Sequence, residues 1–190
     1  MGLIVYVNYF YNTYIVGAFH NFPEPVAKEL RKALYYKNMS LEPNNSLKYF
    51  QKALKVVEEI GMDPFSAEVM GIKIQMAELF EQIDRFDLAI NVYEILKRDN
   101  LAWMDLLGEK EENREKRTRV LAKTVAISVK LGDLYAGKHI MEKERAEENL
   151  VWAVETVLKE ARRREKEGGG YGEWIPDEEI GASFERAFGD

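Results

Sequence analysis

Residues 85–96 read RFDLAINVYEIL. Ala89, Ile90, Tyr93 and Leu96 recur at spacings of one, three and three. That is the period of a helix with one buried stripe. Within the stripe a small residue, Ala89, is followed four positions on by an aromatic and three further on by Leu96. Small residues let two helices approach closely, and an aromatic fills the gap beside them. The same arrangement recurs elsewhere in the chain, so a search for internal repeats comes first.

Upstream, Met76, Ala77 and Phe80 give large–small–x2–aromatic, a partner helix for 85–96. Ser46, Phe50 and Ala53 repeat the second-helix spacing. Leu131, Gly132 and Tyr135 repeat the first-helix pattern, and Ala146, Leu150 and Ala153 follow as its partner. Ile180, Gly181 and Phe184 open the first-helix pattern once more, as if the chain stopped inside a fourth repeat. The earliest helix is the poorest match: Ala33 and Tyr36 are in place, but Lys32 holds the large apolar position. These helix pairs resemble tetratricopeptide repeats. The small residues Ala33, Ala77, Gly132 and Gly181 are 44, 55 and 49 apart, longer than the usual period of about 34. Longer helices or insertions account for the excess. The run EKEENREKR at 109–117, with eight charges in nine residues, reads as a solvated insertion.

Punctuation places the helices. Pro23, Pro25, Pro43, Pro64 and Pro176 are all read as helix starts, because proline suits the first turn and breaks the interior. Asp63 is the expected N-cap before Pro64, and Gly61 and Gly108 are expected stops. The helices so predicted are 24–38, 44–60, 64–83, 86–106, 112–137, 140–167 and 177–188. The expected fold is all-α: a right-handed α-solenoid of three helix pairs over 23–167. After it, 168–190 would be a Gly-rich linker, with GGGYG at 168–172, and the first helix of the truncated fourth repeat.

The N-terminal residues differ in character. Residues 1–23 contain no Asp, Glu, Lys or Arg, and 3–19 read LIVYVNYFYNTYIVGAF. As a helix, that run would span roughly 26 Å, a little under a hydrocarbon core of about 30 Å. Its aromatics suit a membrane–water interface. Residues 1–22 are therefore expected to form a membrane-spanning helix or its C-terminal part, with packing on the repeats as the alternative. No basic stretch precedes the run, which argues against a secretory signal.

The composition narrows the chemistry. A net charge of −6 disfavours nucleic acid as a partner. The absence of cysteine removes thiolate zinc sites and thiol nucleophiles. The two histidines, His20 and His139, show no metal-ligand spacing. His139 with Glu142 and Glu144 is a metal site only on paper, and GGGYG lacks the lysine and strand of a phosphate loop. No catalytic residue, cofactor or metal is expected. Trp103, Met104 and Trp152 read as core. A stack of helix pairs presents a groove lined mainly by first helices. Counted from each repeat's small residue, the groove lining is Leu30, Leu34, Ile74, Glu78, Val129 and Asp133, apolar with an acidic edge.

Three longer stretches carry a more specific resemblance. FPEPVAKELRKALYYKNMSLEPNNSLKYFQKAL, GMDPFSAEVMGIKIQMAELFE, and KLGDLYAG with GEWIPDEEIGASFE resemble fungal mitochondrial tetratricopeptide proteins. These are the adaptor subunits of the inner-membrane i-AAA protease supercomplex. FPEPVAK and DPFS are the specific motifs, and the similarity runs over most of 3–188. The resemblance implies one inner-membrane helix, repeats in the intermembrane space, and a non-catalytic adaptor that binds unfolded or misfolded proteins and delivers them to the protease. The presequence and later repeats of that family are not in this sequence. An assembly factor for a respiratory-chain complex is the alternative. A chaperone co-factor gripping an acidic tail fits poorly with Glu78 and Asp133.

Overall fold

Periodic apolar residues and well-placed prolines make every regular element helical. The computed structural model describes residues 21–167, and these contain six α-helices and no strand. They are α1 (Glu24–Asn38), α2 (Pro43–Glu59), α3 (Ala67–Gln82), α4 (Phe86–Trp103), α5 (Arg114–Ala136) and α6 (Lys143–Lys166). The expected apolar membrane helix at 1–22 and the linker and helix at 168–190 lie outside the described residues. Among the described residues, no helix is long and apolar enough to cross a membrane.

The prolines act as read at two of the places described. Pro25 and Pro43 sit in the first turns of α1 and α2, where their missing N–H costs nothing. Pro64 does not start a helix. Asp63 accepts from the Phe65 N–H at 3.0 Å and closes a turn instead. The Ser66 hydroxyl then accepts from the Val69 N–H at 3.2 Å, so the cap is Ser66 and α3 begins at Ala67. Gly61 stops α2 in a left-handed conformation at φ 70°. The Met62 N–H reaches the Val57 carbonyl and the Gly61 N–H reaches that of Glu58, the Schellman pattern. Gly108 ends something unexpected: α4 stops at Trp103 and continues as a π-helical segment, Met104–Gly108. A short 3-10 turn, Glu111–Asn113, then leads into α5.

The described chain divides into two compact units, one ending at Leu79 and one beginning at Phe80. In the first unit, Val26, Ala27, Leu30 and Ala33 of α1 pack with Phe50, Ala53 and Val57 of α2 and with Val69, Ile72 and Leu79 of α3. Ala33 and Ser46 are fully buried, and the Ser46 hydroxyl donates to the Ala33 carbonyl at 2.9 Å. That bond brings α2 against the backbone of α1. In the second unit, α5 and α6 meet at Gly132. A Cβ added there would lie 2.6 Å from Leu150 Cγ and 3.3 Å from the Ala146 carbonyl oxygen.

Three interhelical turns share one construction. Leu41, Asp84 and Met141 each adopt left-handed backbone, at φ 53°, 57° and 56°. The next residue in each case donates its N–H back to an aromatic residue near the end of the preceding helix. Glu42 donates to Tyr36 at 2.9 Å, Arg85 to Phe80 at 2.8 Å, and Glu142 to Tyr135 at 2.9 Å. Each of these residues also accepts, through its carbonyl, the N–H of the small residue four positions on: Ser46, Ala89 and Ala146. Asp tolerates the left-handed region, whereas Leu and Met do so at a cost.

Three substitutions test the packing and turn arguments. Gly71 has nothing within 4 Å of an added Cβ, so Gly71→Ala should stabilise the protein by up to about 1 kcal/mol through helix propensity. Gly132→Ala gains the same propensity but overpacks Leu150, and should lose about 1 kcal/mol net in urea unfolding. Met141 is 70% exposed, so replacing it sacrifices little packing. Met141→Asn should raise stability by about 0.5–1 kcal/mol by relieving the left-handed backbone, read as a higher urea midpoint with an unchanged slope.

Candidate partner-binding surface

The six residues expected to line a groove do not form one surface type. In the first unit, Leu30 is only 4% exposed and belongs to the core. Leu34 and Ile74 are half-buried, with Leu34 packed against that core. Glu78 is not a loose acidic edge. It accepts from Lys37 Nζ at 3.0 Å and from Gln75 Nε2 at 2.7 Å. In the second unit, Val129 is 5% exposed, and Asp133 is half-buried. Leu30 and Val129 are therefore corrected from groove lining to packing. The reason is geometric: Leu30 falls within the single buried stripe of α1 with Val26, Ala27 and Ala33, α5 is buried on more than one side, and counting from the small residue does not tell which side meets a neighbour.

The polar groups that organise each unit were not singled out in the sequence. Lys37 is 5% exposed and ties α1 to α3, donating to the Gln75 carbonyl and side-chain oxygens and to Glu78. A buried ammonium is tolerated only with such a full set of acceptors. In the second unit, Lys97 of α4 donates to Ser128 Oγ of α5 at 2.7 Å and to Asn149 Oδ1 of α6 at 2.9 Å. Its Nζ also sits 4.3 Å from the centroid of the Trp152 ring. Burial lowers this ammonium to about 8, with Glu94 and Glu148 pulling the other way. Asn100, almost fully buried, donates to Thr124 Oγ1 at 3.0 Å. Tyr135 donates to Glu94, which also accepts from Arg145 at 3.2 Å. Burial and the Glu94 carboxylate hold the Tyr135 phenol above its usual range. Glu81 accepts from Tyr93 at 3.1 Å and pairs with Lys130 at 2.8 Å.

The densest charge cluster joins α5 to α6. Glu160 is 3% exposed and binds Arg117 at 3.2 Å, Arg163 at 2.7 Å and Arg164 at 3.0 Å. Burial alone would raise this carboxyl. The hydrogen bonds from Arg163, Arg164 and Arg117 outweigh burial and hold it down at about 2. Beside it, a cleft is lined by Gly108, Arg114, Arg117, Arg163 and Glu167 with the 109–111 loop. A cleft in the first unit runs between α1 and α2, lined by six charged side chains together with Pro25 and Val56.

His139 stacks on Phe86, with ring centroids 4.7 Å apart and planes 18° from parallel. Among the described residues, no group of three His, Asp or Glu side chains is placed to hold a metal ion. Trp103 and Met104 are buried as read, and Trp152 is half-buried beneath Lys97.

The chain is similar to the protein described as "Protein MRG3-like" from Saccharomyces cerevisiae. The two are 28% identical over 118 residues, which is 60% of this chain and 25% of that protein. The chain thus spans far less than the full length of the relative it matches. No family model matches the sequence, and no solved structure does.

The Glu160 cluster makes a pH prediction. The folded carboxyl titrates below the unfolded one, so its stabilisation is complete above about pH 4.5 and is lost as pH falls towards about 2. Glu160→Gln should lower stability near neutral pH by about 2 kcal/mol, at the low end for a buried ion because Arg163 stays partly in water. The variant should also flatten the acid limb of the stability curve. Urea midpoints measured across that pH range check both effects.

Proposed function

We propose that this chain is a tetratricopeptide-type helical repeat protein that binds polypeptide segments and performs no catalysis. The observation that carries the repeat reading is the recurrence of one turn at Leu41, Asp84 and Met141, each placed between an aromatic and a small residue of the sequence repeat. Independent turns have no reason to share a left-handed residue, a returning N–H and a small residue four positions on.

Within this reading, the chain is an adaptor that captures unfolded or misfolded proteins and hands them to the mitochondrial inner-membrane i-AAA protease. Support comes from FPEPVAK, DPFS and the longer stretches around them. The similarity to a Saccharomyces cerevisiae protein agrees with the fungal character of that resemblance. Residues 1–22 would anchor the chain in the inner membrane, with the helices in the intermembrane space.

The physical mechanism is apolar burial on a rigid frame. An unfolded client exposes apolar segments, and covering each square ångström of apolar surface is worth about 25 cal/mol. In the first unit, Ile74 is half-buried and stands apart from the core cluster, so it keeps apolar area for a client. Anchoring the captor beside the protease raises the effective concentration of what it holds.

Capture of a chemically unfolded model protein by the purified chain tests the reading. Ile74→Asp should weaken capture several-fold while leaving the helical circular-dichroism spectrum unchanged. Undiminished capture by the folded variant would sink the assignment of Ile74. Crosslinking of the full protein in mitochondria that recovers no i-AAA protease would sink the adaptor role.

A further inference from the structure

The chain is acidic, with a net charge of −6, but its charge is not spread evenly. Residues 28–57 carry seven Lys and Arg against two Glu, Glu29 and Glu42. Much of that positive charge borders the cleft between α1 and α2. Lys28 of α1 lines it opposite Lys52 and Lys55 of α2, with Pro25 and Val56 between them. Beyond this end of the cleft, the Tyr36 and Tyr49 rings stack at 5.5 Å. Lys32 and Lys52 each hold an ammonium 5.1 Å from the Tyr49 centroid, one from either helix. Lys48, Lys52 and Lys55 are exposed on α2, and the outer two stand about 10.5 Å apart along its axis.

The carboxylates here do not cancel this charge. Glu24 is engaged by both terminal nitrogens of Arg31, at 3.0 and 2.8 Å. Glu29 accepts from Lys32 at 3.4 Å, and Glu59 stands 3.8 Å from Lys55. Lys28, Lys48 and Lys52 form no ion pair among the described residues. We propose that this α1–α2 face lies against a membrane surface containing anionic phospholipid, with Lys28, Lys48, Lys52 and Lys55 meeting the headgroup phosphates.

Three features favour a lipid surface over an acidic polypeptide. The first is position. Residues 1–23 hold no charged side chain, and Phe22 packs against the core of the first unit, so the uncharged run joins the helices at the start of α1. Lys28 lies one turn further on, about 6 Å along the axis. The cleft sets Lys55 of α2 beside that same end. For this step the proposal rests on residues 1–22 being a membrane anchor. The second feature is the kind of cation. Arg31, the one arginine of α1 and α2, is turned to Glu24, and the remaining cations are lysines. Lysines act as point charges without the fixed fork that selects a carboxylate. The third is the lining. Pro25, Val56 and the lysine stems place apolar surface between the ammonium groups, which suits the boundary between headgroups and acyl chains.

The full chain in phosphatidylcholine vesicles, with or without one third phosphatidylglycerol, provides the test. Acetylation by a water-soluble amine reagent, read by mass spectrometry, should slow about fivefold at Lys28, Lys48, Lys52 and Lys55 in the anionic vesicles. Lys73 of α3 does not line the cleft and should react alike in both. High salt should remove most of the protection. Lys28→Glu with Lys52→Glu should return Lys48 and Lys55 to their rates in neutral vesicles, with the helical circular-dichroism spectrum unchanged. Equal rates in the two vesicle types, or protection that this folded double variant retains, would overturn the proposal. Protection by polyglutamate in neutral vesicles, with none from phosphatidylglycerol, would overturn it in favour of an acidic polypeptide. Flotation reads the anchor separately. A chain that floats only with the anionic vesicles, with these lysines protected, loses the anchor and keeps the lysine face.

Discussion

The close approach of paired helices at small residues is the constraint on which the rest depends. Ser46 reaches the Ala33 carbonyl at 2.9 Å only because neither residue carries a side chain that would hold the helices apart. Gly132 leaves the space that Leu150 fills. Once α1 and α2, or α5 and α6, lie this close, their larger neighbours interlock. Phe50 and Tyr135 are buried to within 1%. A void or a clash at such a contact costs free energy directly, since protein interiors are packed as densely as molecular crystals. The turns follow from the same constraint. Two helices that nearly touch must be joined by a sharp reversal, and a left-handed residue followed by an N–H returning to the preceding helix provides it.

Close packing leaves little room for long polar side chains, yet Lys37, Lys97, Asn100 and Glu160 all sit between helices. Each is matched by partners from a neighbouring helix: Gln75 and Glu78, Ser128 and Asn149, Thr124, and Arg117, with Arg163 and Arg164 of its own helix completing the set around Glu160. Burial of such groups gives little net stability over an apolar core, but a wrong register would leave a charge without partners. These polar bonds therefore penalise packings in which the helices are out of register. Lys97 makes the point most clearly, because one ammonium fixes α4 against two helices at once.

Much of the fold could be read from the residues themselves. The stripe Ala89–Tyr93–Leu96 located α4, and Gly61 marked the end of α2 in the conformation that favours glycine. Pro64 misled because Asp63 closes a turn by accepting from the Phe65 N–H, which leaves the cap to Ser66, the acceptor of the Val69 N–H. The π segment at 104–108 was invisible, since Met104, Leu106 and Leu107 continue an apolar pattern that no period distinguishes from α-helix. The surface was less legible than the fold. Leu30 and Val129 look the same in sequence as Leu34 and Ile74, and only the packing of neighbouring helices decides which remain accessible. The polar bonds between helices join residues 12 to 52 positions apart, between Glu81 and Tyr93 at one extreme and Lys97 and Asn149 at the other, beyond any local pattern.

These separations also describe how the molecule holds together. Each named bond between helices links a helix to one of the next two in the chain. Gly132 and Glu160 both act on the α5–α6 pair, whereas Lys37 acts between α1 and α3. A frame of this kind can keep half-buried apolar side chains such as Leu34 and Ile74 at its surface without collapsing onto them. The backbone that carries them is fixed by contacts on its other side. That is the physical requirement for holding an unfolded segment: apolar area that stays available because the structure beneath it cannot rearrange to bury it.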